Sequence, residues 1–200
     1  MKRLGVLVSG SGTNLQSILD AQQDGRLGGA EVRVVVSNVE GVRALERASA
    51  AGVPAEVMSH RAFASREAFD AALIERLRAY DVELVVLAGF MRLITQPFLD
   101  AFPVINIHPS LLPAFPGVHA ARQALAHGVK LTGSTVHFVD RGCDTGPIIA
   151  QAAVPVLEGD DEARLIERIH GQEHHLFPMV IRALTENRIR LIGRRVEGAI

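Results

Sequence analysis

Apolar runs and helical periods alternate along this chain. "RLGVLVSG" is a short continuous apolar run and predicts a buried strand. "TNLQSILDAQQDG" places Leu15, Ile18 and Leu19 on one helical face and stops near Gly25. "EVRVVVSN" predicts a second strand, "VRALERASAAG" a helix closed at Gly52, and "PAEVMS" a short strand. In "SREAFDAALIERLRAY", Ser65 is placed to cap a helix whose Phe69, Leu73 and Leu77 recur every fourth residue. "VELVVLAGF" is the most apolar strand candidate, and "FPVINIH" is another. "HAARQALAHG" has a helical pattern, "LTGSTVHFV" alternates like a strand, and "GPIIAQAAVPV" is a long extended run. An acidic start opens the long helix "DDEARLIERIHGQEHHLFPMVIRALTEN", and "RIRLIG" predicts a last small strand.

Strand, helix and strand in alternation imply parallel pairing through right-handed crossovers. The expected fold is α/β, a doubly wound, mostly parallel, Rossmann-like sheet. Closer strand spacing in the second half predicts antiparallel edge strands there. No repeat, linker or composition break divides the 200 residues, so one domain over 1–200 is expected.

Composition narrows the function. Hydrophobic residues make up 48% of the chain, enough for a sizeable core, and the formal net charge is −1 with no basic run. Neither a nucleic-acid surface nor an anionic-membrane surface is expected. The first apolar run breaks at Ser9 and Gly10, too early for a signal or a span, so a cytoplasmic protein is expected. The single cysteine, Cys143, excludes an internal disulfide framework and a multi-cysteine metal site.

Three stretches carry candidate chemistry. In "VSGSGTNL", Gly10 and Gly12 allow tight turns, and the N–H groups at Gly12, Thr13 and Asn14 would point out of a helix N-terminus. Such a terminus binds phosphate. Leu15 stands where a dinucleotide fingerprint needs its third glycine, and the loop has no Gly-Lys-Ser/Thr. A mononucleotide or sugar phosphate fits better than a dinucleotide; a plain capped turn is the alternative.

In "NIHP", Asn106 and His108 share one face at the end of a strand. Ligands of open α/β sheets bind there. An amide N–H and an imidazolium N–H together suit a developing oxyanion, and histidine also moves protons near neutral pH. A buried histidine with an asparagine capping the loop is the alternative. The rigid loop holding Pro109, Pro113, Pro116 and Gly117 favours a binding wall. In "VDRGCDTGP", Asp144 could fix the tautomer of His108 and favour its charged form, or could only close an Asx turn. Cys143 could be a nucleophile or a small filler. His170 and His174 share a helix face without the zinc-protease order, and no metal is expected. Arg66 and Arg92 are the best-placed cations.

Taken together these stretches resemble glycinamide ribonucleotide formyltransferase, the folate-dependent enzyme family of purine synthesis. The resemblance covers about residue 3 to about residue 185. It rests on "SGSGTNLQ", "SREAF", "VVLAGFMRL", "NIHPSLLP", "GSTVHFV", "GPIIAQ" and "QEH". "HPSLLP" is shared with methionyl-tRNA formyltransferase and formyltetrahydrofolate deformylase, but their additional domains are not expected here.

The resemblance implies 10-formyltetrahydrofolate as cosubstrate, glycinamide ribonucleotide as acceptor, a phosphate-binding N-terminal half and a folate-binding C-terminal half. It implies that Gly12, Thr13 and Asn14 hold the phosphate and Glu173 the ribose, with Gly89 and Pro109 lining the channel. Arg66 would meet the folate glutamate. Met91, Arg92, Leu93 and Ile94 would clasp the pterin, with Asp140 and Asn106 on the same ligand. Asn106, His108 and Asp144 match the catalytic trio. Ala114 and His170 depart from the family's usual cations or glutamine. A formyltetrahydrofolate hydrolase and a non-catalytic nucleotide or folate binding module remain the competing readings.

Overall fold

The computed structural model describes residues 1–200. Its chain folds through β1 (Arg3–Val8), α1 (Thr13–Gln23), β2 (Glu31–Ser37), α2 (Arg43–Ala50) and β3 (Ala55–Val57). Next come α3 (Arg66–Ala79), β4 (Leu84–Leu87), α4 (Gln96–Ala101) and β5 (Val104–His108). The remainder is α5 (Ala120–His127), β6 (Leu131–Phe138), β7 (Ile148–Pro155), α6 (Glu162–Thr185), β8 (Ile189–Ile192) and β9 (Arg195–Gly198).

Seven strands form one sheet in the order β3-β2-β1-β4-β5-β6-β7. β1 to β5 pair in parallel, whereas β6 and β7 are antiparallel. The expected doubly wound sheet with antiparallel strands in its second half is therefore present. Chain order reverses between β1 and β4, the switch point at which such sheets open a crevice.

Alternate residues of each central strand feed opposite cores. Val6, Val8, Val35 and Val86 pack with Leu15, Ile18, Phe177 and Ile181 of α1 and α6. Leu7, Val34, Val36, Val85 and Leu87 pack with Phe69, Leu73, Leu77 and Phe98 of α3 and α4. Covering both faces explains why these strands read as unbroken apolar runs. Ser65 caps α3 as its position suggested, its Oγ accepting from the Ala68 N–H at 3.1 Å.

The structure departs from the sequence pattern in four places. The "VELVVLAGF" strand is shorter than its apolar run, because Gly89 turns the chain out of the sheet at φ 78°. α4 carries no periodic signal in its six residues; Pro97 in its first turn is the only mark. A 3₁₀ turn at His60–Ala62 was not expected. The tail beyond Gly193 forms β9, which pairs with β8 as a hairpin.

Candidate active site

The site is assembled at the carboxyl ends of the parallel strands. β5 presents Asn106 and His108 on one side, while Ile105 and Ile107 enter the opposite core. Asp144 arrives from the loop between β6 and β7. Its Oδ2 lies 3.3 Å from His108 Nδ1, and its Oδ1 accepts from Asn106 Nδ2 at 3.5 Å. Three side chains from separate stretches thus converge.

Both ring nitrogens of His108 face acceptors, since Nε2 lies 2.8 Å from the Phe115 carbonyl. Imidazolium satisfies both partners; a neutral ring satisfies one. Burial opposes the charge on Asp144. The nearby His137, the Gly117 N–H at 2.8 Å and the His108 imidazole outweigh it and hold the carboxyl down to about 2. His137 Nε2 lies 3.7 Å from Oδ1. Asp144 adopts φ 55°, so the position that aims its carboxylate is a left-handed one. The Asx-type role falls instead to Asp140, whose Oδ1 accepts from the Gly142 N–H and the Thr145 hydroxyl.

His137 is the member that sequence reasoning missed. It is 2% exposed, pairs with Asn106 across β5 and β6, and its Nε2 is 3.2 Å from Asn106 Nδ2. Its Nδ1 donates to the Phe138 carbonyl at 2.8 Å, and its Nε2 faces both the Asn106 amide and the Asp144 carboxylate. The signal was a histidine in the buried phase of "GSTVHFV", but its partner depends on antiparallel register. Thr135 and Gln151 brace the proline loop from behind. The Leu112 N–H donates to Thr135 Oγ1, whose hydroxyl donates to the Ser110 carbonyl, and Gln151 donates to both Leu112 O and Thr135 Oγ1. Ala114 offers its carbonyl to the Ser110 hydroxyl.

The glycine loop lies at the same, carboxyl end of the sheet. Gly12 sits at φ 71°, and a Cβ there would come within 2.7 Å of the Ala44 Cβ. α1 therefore starts against α2 with its N–H groups open, and Gly12 caps it without a side chain. Glu173 lies in the apolar stripe of α6, 2% exposed, and accepts from Asn14 Nδ2 at 2.7 Å. Burial raises its pKa, partly offset by Asn14 and His170. Asn14 Oδ1 is buried and meets no donor of the protein. Beside it a polar cavity of about 340 Å³ is lined by Thr13, Gln16, Ser17, Arg47 and His174. The rings of His170 and His174 stack with centroids 6.0 Å apart.

The segment after β4 is held from two sides. The Met91 N–H donates to Ser9 Oγ, and the Thr95 N–H to the buried carboxylate of Asp70. Met91 and Leu93 are exposed, whereas the Ile94 side chain is core, so Ile94 can offer a ligand only its backbone. Arg92 lies over the Phe69 ring at 5.4 Å, with a buried Nε that has no protein partner. Gly89 has open space beside its Cα. Pro109 is half-buried next to His108. Arg66 opens α3 outside the convergent cluster, 4.0 Å from Glu67. Cys143 has Asp144 as neighbour at 3.5 Å; burial and that carboxylate push its thiol pKa up, which opposes a thiolate nucleophile.

Residues 2–181 match the family described as Formyl transferase. The chain belongs to this family. Its sequence is 44% identical to phosphoribosylglycinamide formyltransferase of Escherichia coli (strain K12), over 93% of this chain and 88% of that protein. It is 51% identical to the trifunctional purine biosynthetic protein adenosine-3 of Drosophila melanogaster; the match takes in 98% of this chain but only 15% of that protein's length. Glycinamide ribonucleotide transformylase 1 of Symbiobacterium toebii superposes with a TM-score of 0.97 at 57% identity, covering 100% of this chain and 95% of the other. The formyl transferase family membership bears out the resemblance carried by "HPSLLP" and its companions.

Proposed function

We propose that this chain transfers the formyl group of 10-formyltetrahydrofolate to the primary amine of glycinamide ribonucleotide, a step of purine biosynthesis. The observation that carries the proposal is the convergence of Asn106, His108 and Asp144 at the strand end beside the glycine loop. β1 and β5 are separated by β4, so the two features stand two strand spacings apart, about 10 Å. That span suits a phosphorylated sugar with its phosphate at one end and its reacting amine at the other.

In this reading the N–H groups of Gly12, Thr13 and Asn14 take the phosphate. Glu173 and the unpartnered Asn14 Oδ1 accept from ribose hydroxyls. Pro109 and Gly89 line the path between. The folate lies along Met91, Arg92, Leu93 and Ile94 and under the loop from Asp140, with Arg66 toward its carboxylates. The exposed apolar side chains of Met91 and Leu93 are consistent with a ring stacked there.

The amine attacks the formyl carbon, and a C–N bond forms as the carbonyl oxygen gains charge. Asn106 Nδ2 and protonated His108 donate to that oxygen; losing one such donor typically costs about 10²–10³ in rate. His108 Nε2 exchanges the Phe115 carbonyl for the substrate oxygen, and Asp144 holds the ring in orientation. The bond to N10 then breaks, N10 gains a proton, and the attacking nitrogen loses one. Asp144 serves that transfer through water.

The test mixes the protein with both substrates and follows tetrahydrofolate release. Release should require the ribonucleotide. Formate produced at full rate without it would establish a hydrolase instead. Asn106→Ala and His108→Ala should keep ligand binding and lose turnover, an outcome that a non-catalytic binding module does not predict.

A further inference from the structure

We infer that Arg194, in the turn of the C-terminal hairpin, is a positioning residue for the loop that carries Asp144. This inference rests on the transferase reading above. The hairpin contains no residue given a role so far, yet it reaches the site. Arg194 Nη2 donates to the Thr145 carbonyl at 2.5 Å, one residue after Asp144. Its Nη1 stands 3.7 Å from Asp140 Oδ2. The other oxygen of Asp140 accepts from Gly142 and Thr145. One guanidinium thus grips both ends of the 140–145 turn.

The opposite flank of the turn is tied as well, by Arg141 Nε donating to Gln96 Oε1 at 2.5 Å. Between these ties Asp144 holds φ 55°. The hairpin itself is anchored independently. Ile189 is buried, and the Arg188 N–H donates to the Ala183 carbonyl of α6 at 2.9 Å. Facing surfaces of the hairpin and the loop enclose a cavity of about 660 Å³ that has Asp144 in its wall.

An exposed arginine pair contributes little to global stability. Its effect here is local: it fixes where the Asp144 carboxylate sits relative to His108. A displacement of about 1 Å at a catalytic group costs up to about a hundredfold in rate.

Arg194→Ala is the decisive variant, with Arg194→Lys retaining one donor and Arg190→Ala as a hairpin control. Arg194→Ala should lower kcat/KM for the formyl donor by about tenfold to about a hundredfold, with KM for the ribonucleotide unchanged. Arg194→Lys should recover part of the loss, and Arg190→Ala should match the parent protein. A readout independent of turnover comes from Cys143, the chain's one thiol, inside the gripped turn. Its rate of reaction with an aromatic disulfide reagent should rise several-fold in Arg194→Ala as the thiol leaves the Asp144 carboxylate. Parent-like kinetics with a parent-like thiol rate would overturn the inference. So would equal losses for both substrates tracking a lowered Tm, the mark of a merely structural role. If the parent protein transfers no formyl group, the function proposed above fails, and the thiol rate still decides this one.

Discussion

Nδ1 of His108 lies 3.3 Å from Oδ2 of Asp144, and both side chains are largely shielded from solvent. The carboxylate also accepts from the Gly117 N–H, so its orientation does not depend on the histidine. Asp144→Asn keeps an acceptor for that N–H but removes the charge facing the ring. We expect the variant to fold and to lose about 10²–10⁴ in kcat, measured by tetrahydrofolate release, with substrate KM values little changed.

The same carboxyl makes a prediction about pH and stability. Its folded pKa of about 2 lies below its ordinary 3.8, so the ionised form favours the fold. The contribution, about 2 kcal/mol, is fully present above pH ~4 and fades as pH falls through about 2. Urea unfolding of the parent and of Asp144→Asn should therefore differ most at neutral pH and converge in strong acid. A gap that stays constant from neutral pH down to pH ~2 would contradict this.

Gly12 meets two constraints at once, a positive φ and a Cβ position within 2.7 Å of Ala44. Gly12→Ala should destabilise the protein by about 1–3 kcal/mol and raise KM for the ribonucleotide far more than for the folate. Adding Ala44→Gly should not restore the stability, because the Ala44 Cα itself lies 2.8 Å from that Cβ position and a glycine weakens α2.

Glu173 is a carboxylate buried among apolar residues, with its pKa raised by burial. Glu173→Gln retains an acceptor for Asn14 and sheds the charge. Thermal stability should hold or rise slightly, and ribonucleotide affinity should fall by about tenfold, which titration calorimetry would read. Lost stability with retained affinity would make Glu173 a structural residue only.

Cys143 borders the site, but its thiol is pushed away from ionisation. Cys143→Ser should keep turnover within about twofold of the parent, in line with a small surface change. A dead variant would reopen a covalent route.

Much of the site was legible because its residues break a local pattern. Asn106 and His108 interrupt an apolar strand; Glu173 was named only through the family resemblance, although it falls in phase with Leu165, Ile169 and Phe177 on α6. A polar group at an apolar phase is visible without coordinates. The partnership of His137 with Asn106 was not, since antiparallel register is a long-range property that one strand's sequence does not encode. β9 escaped for another reason. Arg195 and Glu197 face solvent and no apolar alternation marks the strand, leaving the turn at Gly193, φ 61°, as the only trace. The apolar run after β4 misled in the opposite sense: composition alone does not show that Gly89 leaves the sheet.

The switch from parallel to antiparallel pairing falls between β5 and β6, so the reacting groups straddle a seam in the sheet. Asn106 and His108 precede it; His137 and Asp144 follow it. The exposed turn at Gly128 lies between the two sets. Severing the backbone there would leave each fragment with half of the constellation, and regained turnover on mixing would become a direct gauge of how faithfully the two pieces knit together.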